Sequence, residues 1–166
     1  SFGQVSYNLL RAFIELGHEV YLHPISNSLD FSAFDVQKDL GEKISESIKG
    51  AAANLNRGDL SIKLWHLNGA ERALTDNATL YTFYELDEPT KAELAIARRF
   101  DKVVFSSTYS KEIFEQNGVK SFNCPIGFDP DLKIGDKRKL DFIHWGIMGE
   151  FEKRKHTERV IKLWLK

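Results

Sequence analysis

The sequence predicts an α/β fold, an open and mostly parallel sheet with helices on both faces. Three observations carry this. Short apolar runs rich in β-branched and aromatic residues alternate with segments of helical periodicity. The order read along the chain is α, β, α, β, β, α, β, α, β, and such alternation is what parallel crossover units require. One of the runs, residues 79–89 (TLYTFYELDEP), is apolar along its length and then turns acidic at Glu85, Asp87 and Glu88 before Pro89. A buried strand with carboxylates at its C-terminal end is where open α/β sheets place ligand sites.

Taken in order, residues 4–16 have apolar side chains at 5, 9, 12, 13 and 16, a helical spacing, and Gly17 follows as a C-cap. Residues 19–22 (EVYL) read as a short strand, and 26–34 as a loop. Residues 36–53 form a second predicted helix, with Val36, Leu40, Ile44 and Ile48 recurring every four positions and charged residues on the other faces. After the Asn56–Asp59 break, 60–67 is a strand, and 79–84 is the next. Pro89 and Thr90 open a helix. Residues 101–105 form a strand, and Ser107 or Thr108 caps a helix over 109–116 that stops at Asn117-Gly118. Residues 119–124 are a strand. Residues 131–139 read as a charged linker, 141–148 as a last strand (DFIHWGIM) and 157–166 as a final helix with Val160, Ile161, Trp164 and Leu165 on one side.

Composition narrows the function classes. The 166 residues suffice for one domain, or one domain plus a fragment, and 42% hydrophobic with 28% charged residues marks a globular chain. With 23 basic and 24 acidic residues the net charge is −1, which speaks against a general nucleic-acid or membrane-surface binder. The single cysteine, Cys124, permits no internal disulfide, so a reducing, cytoplasmic setting is expected, with Cys124 a buried structural thiol. No apolar run approaches the ~20 residues of a membrane-spanning helix, and no signal-peptide pattern opens the chain.

The usual chemical motifs are missing. There is no GxGxxG after a strand, no GxxxxGK[ST], no HExxH and no CxxC, and the five histidines show no ligand spacing, so no metal site is expected. Three stretches can carry chemistry, each beside a plainer reading. Gly3 before a helix can leave N–H groups open to an anion, or it is turn chemistry. Arg154 and Lys155, at the entrance of the last helix, suit a diphosphate, or they form a basic surface turn. Glu85, Asp87 and Glu88 can hold sugar hydroxyls or assist proton movement, or they form a solvated acidic loop.

In four stretches the chain resembles the family-4 glycosyltransferases of the GT-B fold, also called glycosyl transferases group 1. SFGQVSYNLLRAFIELGHEV is similar to the Gly-containing loop, first helix and second strand of the family's N-terminal domain. TFYELDEP resembles the strand end facing the acceptor. DKVVFSSTYSKEIFEQNGV with CPIGFDP resembles the segment leading to the interdomain linker, which Gly127 and Asp129 would enter. IMGEFEKRKHTERVIKLW resembles the first strand, loop and helix of the C-terminal domain.

The resemblance implies a Rossmann-like, truncated N-terminal (acceptor-side) domain over residues 1–130 without its first strand. A linker follows at 131–139, then the first strand–helix unit of the donor-side domain at 140–166. It implies a retaining hexosyltransferase-like activity in carbohydrate biosynthesis. The donor would be a nucleotide-sugar and the acceptor a carbohydrate or lipid-linked acceptor; no cofactor, metal or nucleic acid is implied. By position, Glu85 would be the catalytic and acceptor-side carboxylate, with Asp87 beside it. Gly3, Arg154 and Lys155 would contact the donor phosphates. Two positions depart from the family: Glu150 stands where many members have Arg, and His156 follows the basic pair where a small residue is usual. The isolated chain is expected to be inactive. Residues 142–148 are expected to fill the slot of the missing first strand, within one chain or by exchange in a homodimer. The alternative reading is a non-enzymatic phosphate- or sugar-binding α/β module.

Overall fold

A computed structural model of the chain describes residues 2–25, 29, 31, 34, 36, 38–127 and 156–165. The chain divides into two compact units, Ser1–Pro130 and Asp131–Lys166. The first unit contains α1 (Phe2–Glu15), α2 (Lys38–Asn54), β1 (Leu60–Leu64), β2 (Asn77–Thr82), α3 (Lys91–Ala97), β3 (Lys102–Phe105), α4 (Thr108–Gln116) and β4 (Ser121–Asn123). Of the second unit, α5 (Thr157–Trp164) is described; the Glu158–Lys162 ion pair spans one of its turns. Among the described residues no helix is long and apolar enough to cross a membrane.

The predicted α/β class holds. The strands form one sheet in the order β1-β2-β3-β4, and every pairing is parallel. Strand period and register sort the side chains. Ala78, Leu80, Val103 and Phe105 share one face with Thr82 and Tyr84, and α3 and α4 cover that face with Ile96, Ala97, Ile113 and Phe114. Phe105, Phe114, Leu80 and Val103 are fully buried. Each such side chain contributes roughly 1.5–3 kcal/mol by leaving water. Phe105 and Phe114 meet ring to ring at 4.6 Å. On the opposite face, Leu60 is 64% exposed, Ile62 47% and Phe122 41%, so among the described residues this face is only partly covered.

Local chemistry fixes the connections. Asp101 accepts the Ala78 N–H through Oδ2 at 2.8 Å and donates its own N–H to the Ala78 carbonyl at 3.0 Å, which locks the start of β3 to β2. Helix α3 has only seven residues and starts with a reciprocal capping box between Thr90 and Glu93. Pro89 therefore precedes the cap instead of sitting in the first turn. Ser107 caps α4 by accepting the Ser110 N–H at 3.1 Å.

A second apolar cluster joins Tyr7 and Leu10 of α1 to Ile44 of α2, with Ile14, Val20, Leu22, Phe31 and Phe34 against it. Here several sequence expectations are corrected. Residues 19–22 are not a strand: the Leu22 N–H donates to the Ser47 Oγ of α2 at 2.8 Å, and β1 is the edge of the described sheet. An extended, apolar segment becomes a strand only when a neighbour supplies a ladder, and none of the described strands does. The predicted strands at 60–67 and 79–84 stop at Leu64 and Thr82. Gly3 lies in the first turn of α1 and not in a loop, since the helix begins at Phe2. Cys124 is exposed, not buried, because β4 is a three-residue edge strand and Cys124 lies just past its end. The strand expected at 141–148, its pairing with the sheet and the linker at 131–139 fall outside the described residues.

Candidate functional site

The site is built at the carboxyl edge of the sheet, where β1 and β2 end. After Thr82 the chain still alternates its side chains for two residues. Tyr84 turns into the core, edge-on to Phe114 at 5.0 Å, and its carbonyl accepts a hydrogen bond from Ser110 Oγ at 2.7 Å. Phe83 points the other way and meets Phe2, the first residue of α1, at 4.9 Å. Glu85, Leu86, Asp87 and Glu88 then form an exposed turn that ends at buried Pro89.

Phe2 is the hinge of an aromatic group. Its ring lies 4.5 Å from His66, 69° out of plane, and 5.5 Å from Trp65. Trp65 and His66 follow directly on β1, and the Trp65 N–H still donates to the Tyr81 carbonyl at 3.3 Å. Rings from the start of α1, the end of β1 and the end of β2 thus converge at one edge. The neighbouring loop is held by Lys63 Nζ, which donates to the Arg72 and Gly69 carbonyls at 2.8 and 3.3 Å. Glu71 Oε1 accepts the Gly69 N–H at 3.1 Å. The Glu71 carboxyl is held below the usual carboxylate range, first by its own backbone N–H and then by that of Gly69.

Two hydroxyls behind this edge are buried without a hydrogen-bond partner among the described residues, Thr82 Oγ1 and the Tyr84 phenol. Burial pushes the Tyr84 phenol up to about 12, and Glu93, Asp87, Glu88 and Tyr109 add to the shift. Burial likewise raises Tyr81, whose hydroxyl donates to the Cys124 carbonyl at 2.8 Å.

Of the residues singled out in the sequence, Glu85 and Asp87 lie exposed in this turn, past the end of β2. Gly3 lies one residue after Phe2, and a side chain added there would meet nothing within 4 Å. Gly127 is exposed beyond β4. Arg154, Lys155, Asp129 and Glu150 fall outside the described residues. Sequence reasoning took Trp65 and His66 for ordinary strand residues. The signal available was a Trp-His pair at the end of an apolar run, just before Asn68-Gly69. Among the described residues no three His, Cys, Asp or Glu side chains converge as metal ligands. A shallow cavity of about 270 Å³ lies elsewhere, between α2 and Pro24, Leu29 and Phe31, and carries no titratable side chain.

This geometry defines an α/β protein with a parallel sheet and an aromatic, acid-flanked carboxyl edge. Comparison with family models, with curated proteins and with solved structures finds no match to any.

Proposed function

We propose that the chain is the acceptor-side part of a retaining glycosyltransferase, a Rossmann-like GT-B domain that receives a sugar from a nucleotide-sugar. The observation that carries this is the end of β2. A strand buried through Leu80, Tyr81 and Thr82 gives way to the exposed carboxylates of Glu85 and Asp87 at the carboxyl edge of a parallel sheet. The four-stretch resemblance supports the same reading. In the proposed reaction Glu85 accepts a hydrogen bond from the acceptor hydroxyl and orients it. The hydroxyl oxygen bonds to the donor's anomeric carbon as the bond from that carbon to the phosphate oxygen breaks, with the configuration at that carbon retained. The hydroxyl proton passes to the departing diphosphate. Positioning and stabilisation of the leaving diphosphate supply most of the rate.

The second reading, a non-enzymatic sugar- or phosphate-binding module, shares the same edge. Thermal denaturation separates the readings when the chain is heated with nucleoside diphosphates and, in parallel, with simple glycosides. Stabilisation by a glycoside supports an acceptor-side domain; stabilisation by nucleoside diphosphates alone supports a phosphate-binding module; no shift with either overturns both.

A further inference from the structure

We infer that the Phe2–Trp65–His66–Phe83 ring group is the platform on which a pyranose ring of the acceptor lies, with His66 as a hydroxyl-reading residue; this rests on the acceptor-side reading above. The rings come from three elements and still leave His66 exposed, with Phe2 packed edge-to-face against it at 4.5 Å. A pyranose offers one face of C–H groups and a rim of hydroxyls. The C–H face gains by leaving water against aromatic surface, whose ring faces carry negative charge. The rim needs hydrogen-bond partners, and an exposed imidazole can both donate and accept.

Charge selects the ligand class. Glu85, Asp87 and Glu88 follow Phe83 by two, four and five residues and are all exposed. Carboxylates that follow Phe83 this closely in the chain disfavour a phosphate and favour neutral hydroxyls. On charge, a neutral sugar suits the ring group better than a diphosphate does. The Trp65 indole approaches Gly69 so closely that a Cβ there would come within 2.8 Å of its Nε1.

The test uses the whole chain, labelled with ¹⁵N and titrated with the methyl glycosides of glucose, mannose, galactose and N-acetylglucosamine. The chain has three tryptophans, and Trp65→Phe assigns the Trp65 indole N–H signal. One glycoside is expected to shift that signal, and His66→Ala is expected to weaken its binding about tenfold in a chain that stays folded. If a glycoside stabilises the chain but the Trp65 signal stays still, or His66→Ala binds as wild type, the platform is wrong and the acceptor-side reading stands. If no glycoside binds, that reading fails and takes the platform with it. If nucleoside diphosphates shift the Trp65 signal and glycosides do not, the rings stack a base and the inference is overturned.

Discussion

Ser110 Oγ donates a 2.7 Å hydrogen bond to the carbonyl oxygen of Tyr84, tying the first turn of α4 to the residue that precedes Glu85. Ser110 is 1% exposed. Its proton goes to Tyr84, so the 2.7 Å contact between the two serine hydroxyls has Ser107 as the donor. Ser107 in turn accepts the Ser110 N–H at 3.1 Å. The N-cap of α4 and the exit of β2 are thus one hydrogen-bonded unit, and the acidic turn starts from a fixed point. Ser110→Ala removes the donor and leaves a buried carbonyl unpaired, which costs about 1–3 kcal/mol. Urea denaturation should show that loss, and the amides of residues 85–88 should exchange faster with deuterium. A variant as stable as wild type with unchanged exchange would show that the turn is held by other contacts.

The capping box of α3 holds the other side of the same turn. Glu93 Oε2 accepts the Thr90 N–H at 2.7 Å and the Thr90 hydroxyl at 2.9 Å, while the Glu93 N–H donates to Thr90 Oγ1 at 3.2 Å. A seven-residue helix forms few internal bonds, so its cap counts for more. Thr90→Ala is expected to cost about 1 kcal/mol. Thr90→Ser, which keeps the oxygen, should recover most of it in the same denaturation experiment.

Such units show what could be read from the chain in advance. Ser107, Thr90 with Glu93, and the Asn117-Gly118 stop are local signals, because a cap is formed by residues three apart. The β2 run was legible because its burial and its composition agree. Three of the failures are decided at a distance. Residues 19–22 have the composition of a strand, but their Leu22 N–H is taken by Ser47, 25 positions on. Cys124 ends an apolar run, yet its exposure depends on what packs beyond β4, and among the described residues little does. Trp65 and His66 gained their place only because Phe2, more than 60 positions earlier, reaches them.

The Tyr84 phenol makes a prediction about alkaline stability. Its folded pKa is raised to about 12 against an unfolded value of 10.0. Below pH 10 both states hold the proton and the contribution is fully present. Between pH 10 and about 12 the unfolded chain releases the proton while the folded chain keeps it, so stability falls as pH rises. Tyr84→Phe should flatten that part of the profile. At pH 7 it should be neutral or stabilising, because it deletes a buried hydroxyl that has no hydrogen-bond partner among the described residues. Denaturation midpoints of both proteins from pH 7 to 12 check this, and parallel profiles would place the effect on Tyr81 or Tyr21 instead.

Two glycines at the carboxyl edge should answer to alanine in opposite ways. Gly69 has φ +93°, and a Cβ there would approach Trp65 Nε1 to 2.8 Å and Cδ1 to 3.2 Å. Gly69→Ala therefore forces a residue with a side chain into the left-handed region, at a cost of about 1–2 kcal/mol. It also pushes the indole from its place beside Phe2. Stability and glycoside affinity should fall together. Gly3 sits in the first turn of α1 with open space around it, so Gly3→Ala should be neutral or stabilise the fold by up to about 1 kcal/mol. Any loss of ligand binding in Gly3→Ala then reports how closely a ligand approaches that turn and not how well the chain folds. Calorimetric melting beside glycoside and nucleoside diphosphate titrations of both variants decides which ligand class comes near α1. If Gly3→Ala weakens only the diphosphate, the phosphate-facing role read for Gly3 gains support; if it weakens neither, that role is removed while the Trp65 platform is untouched.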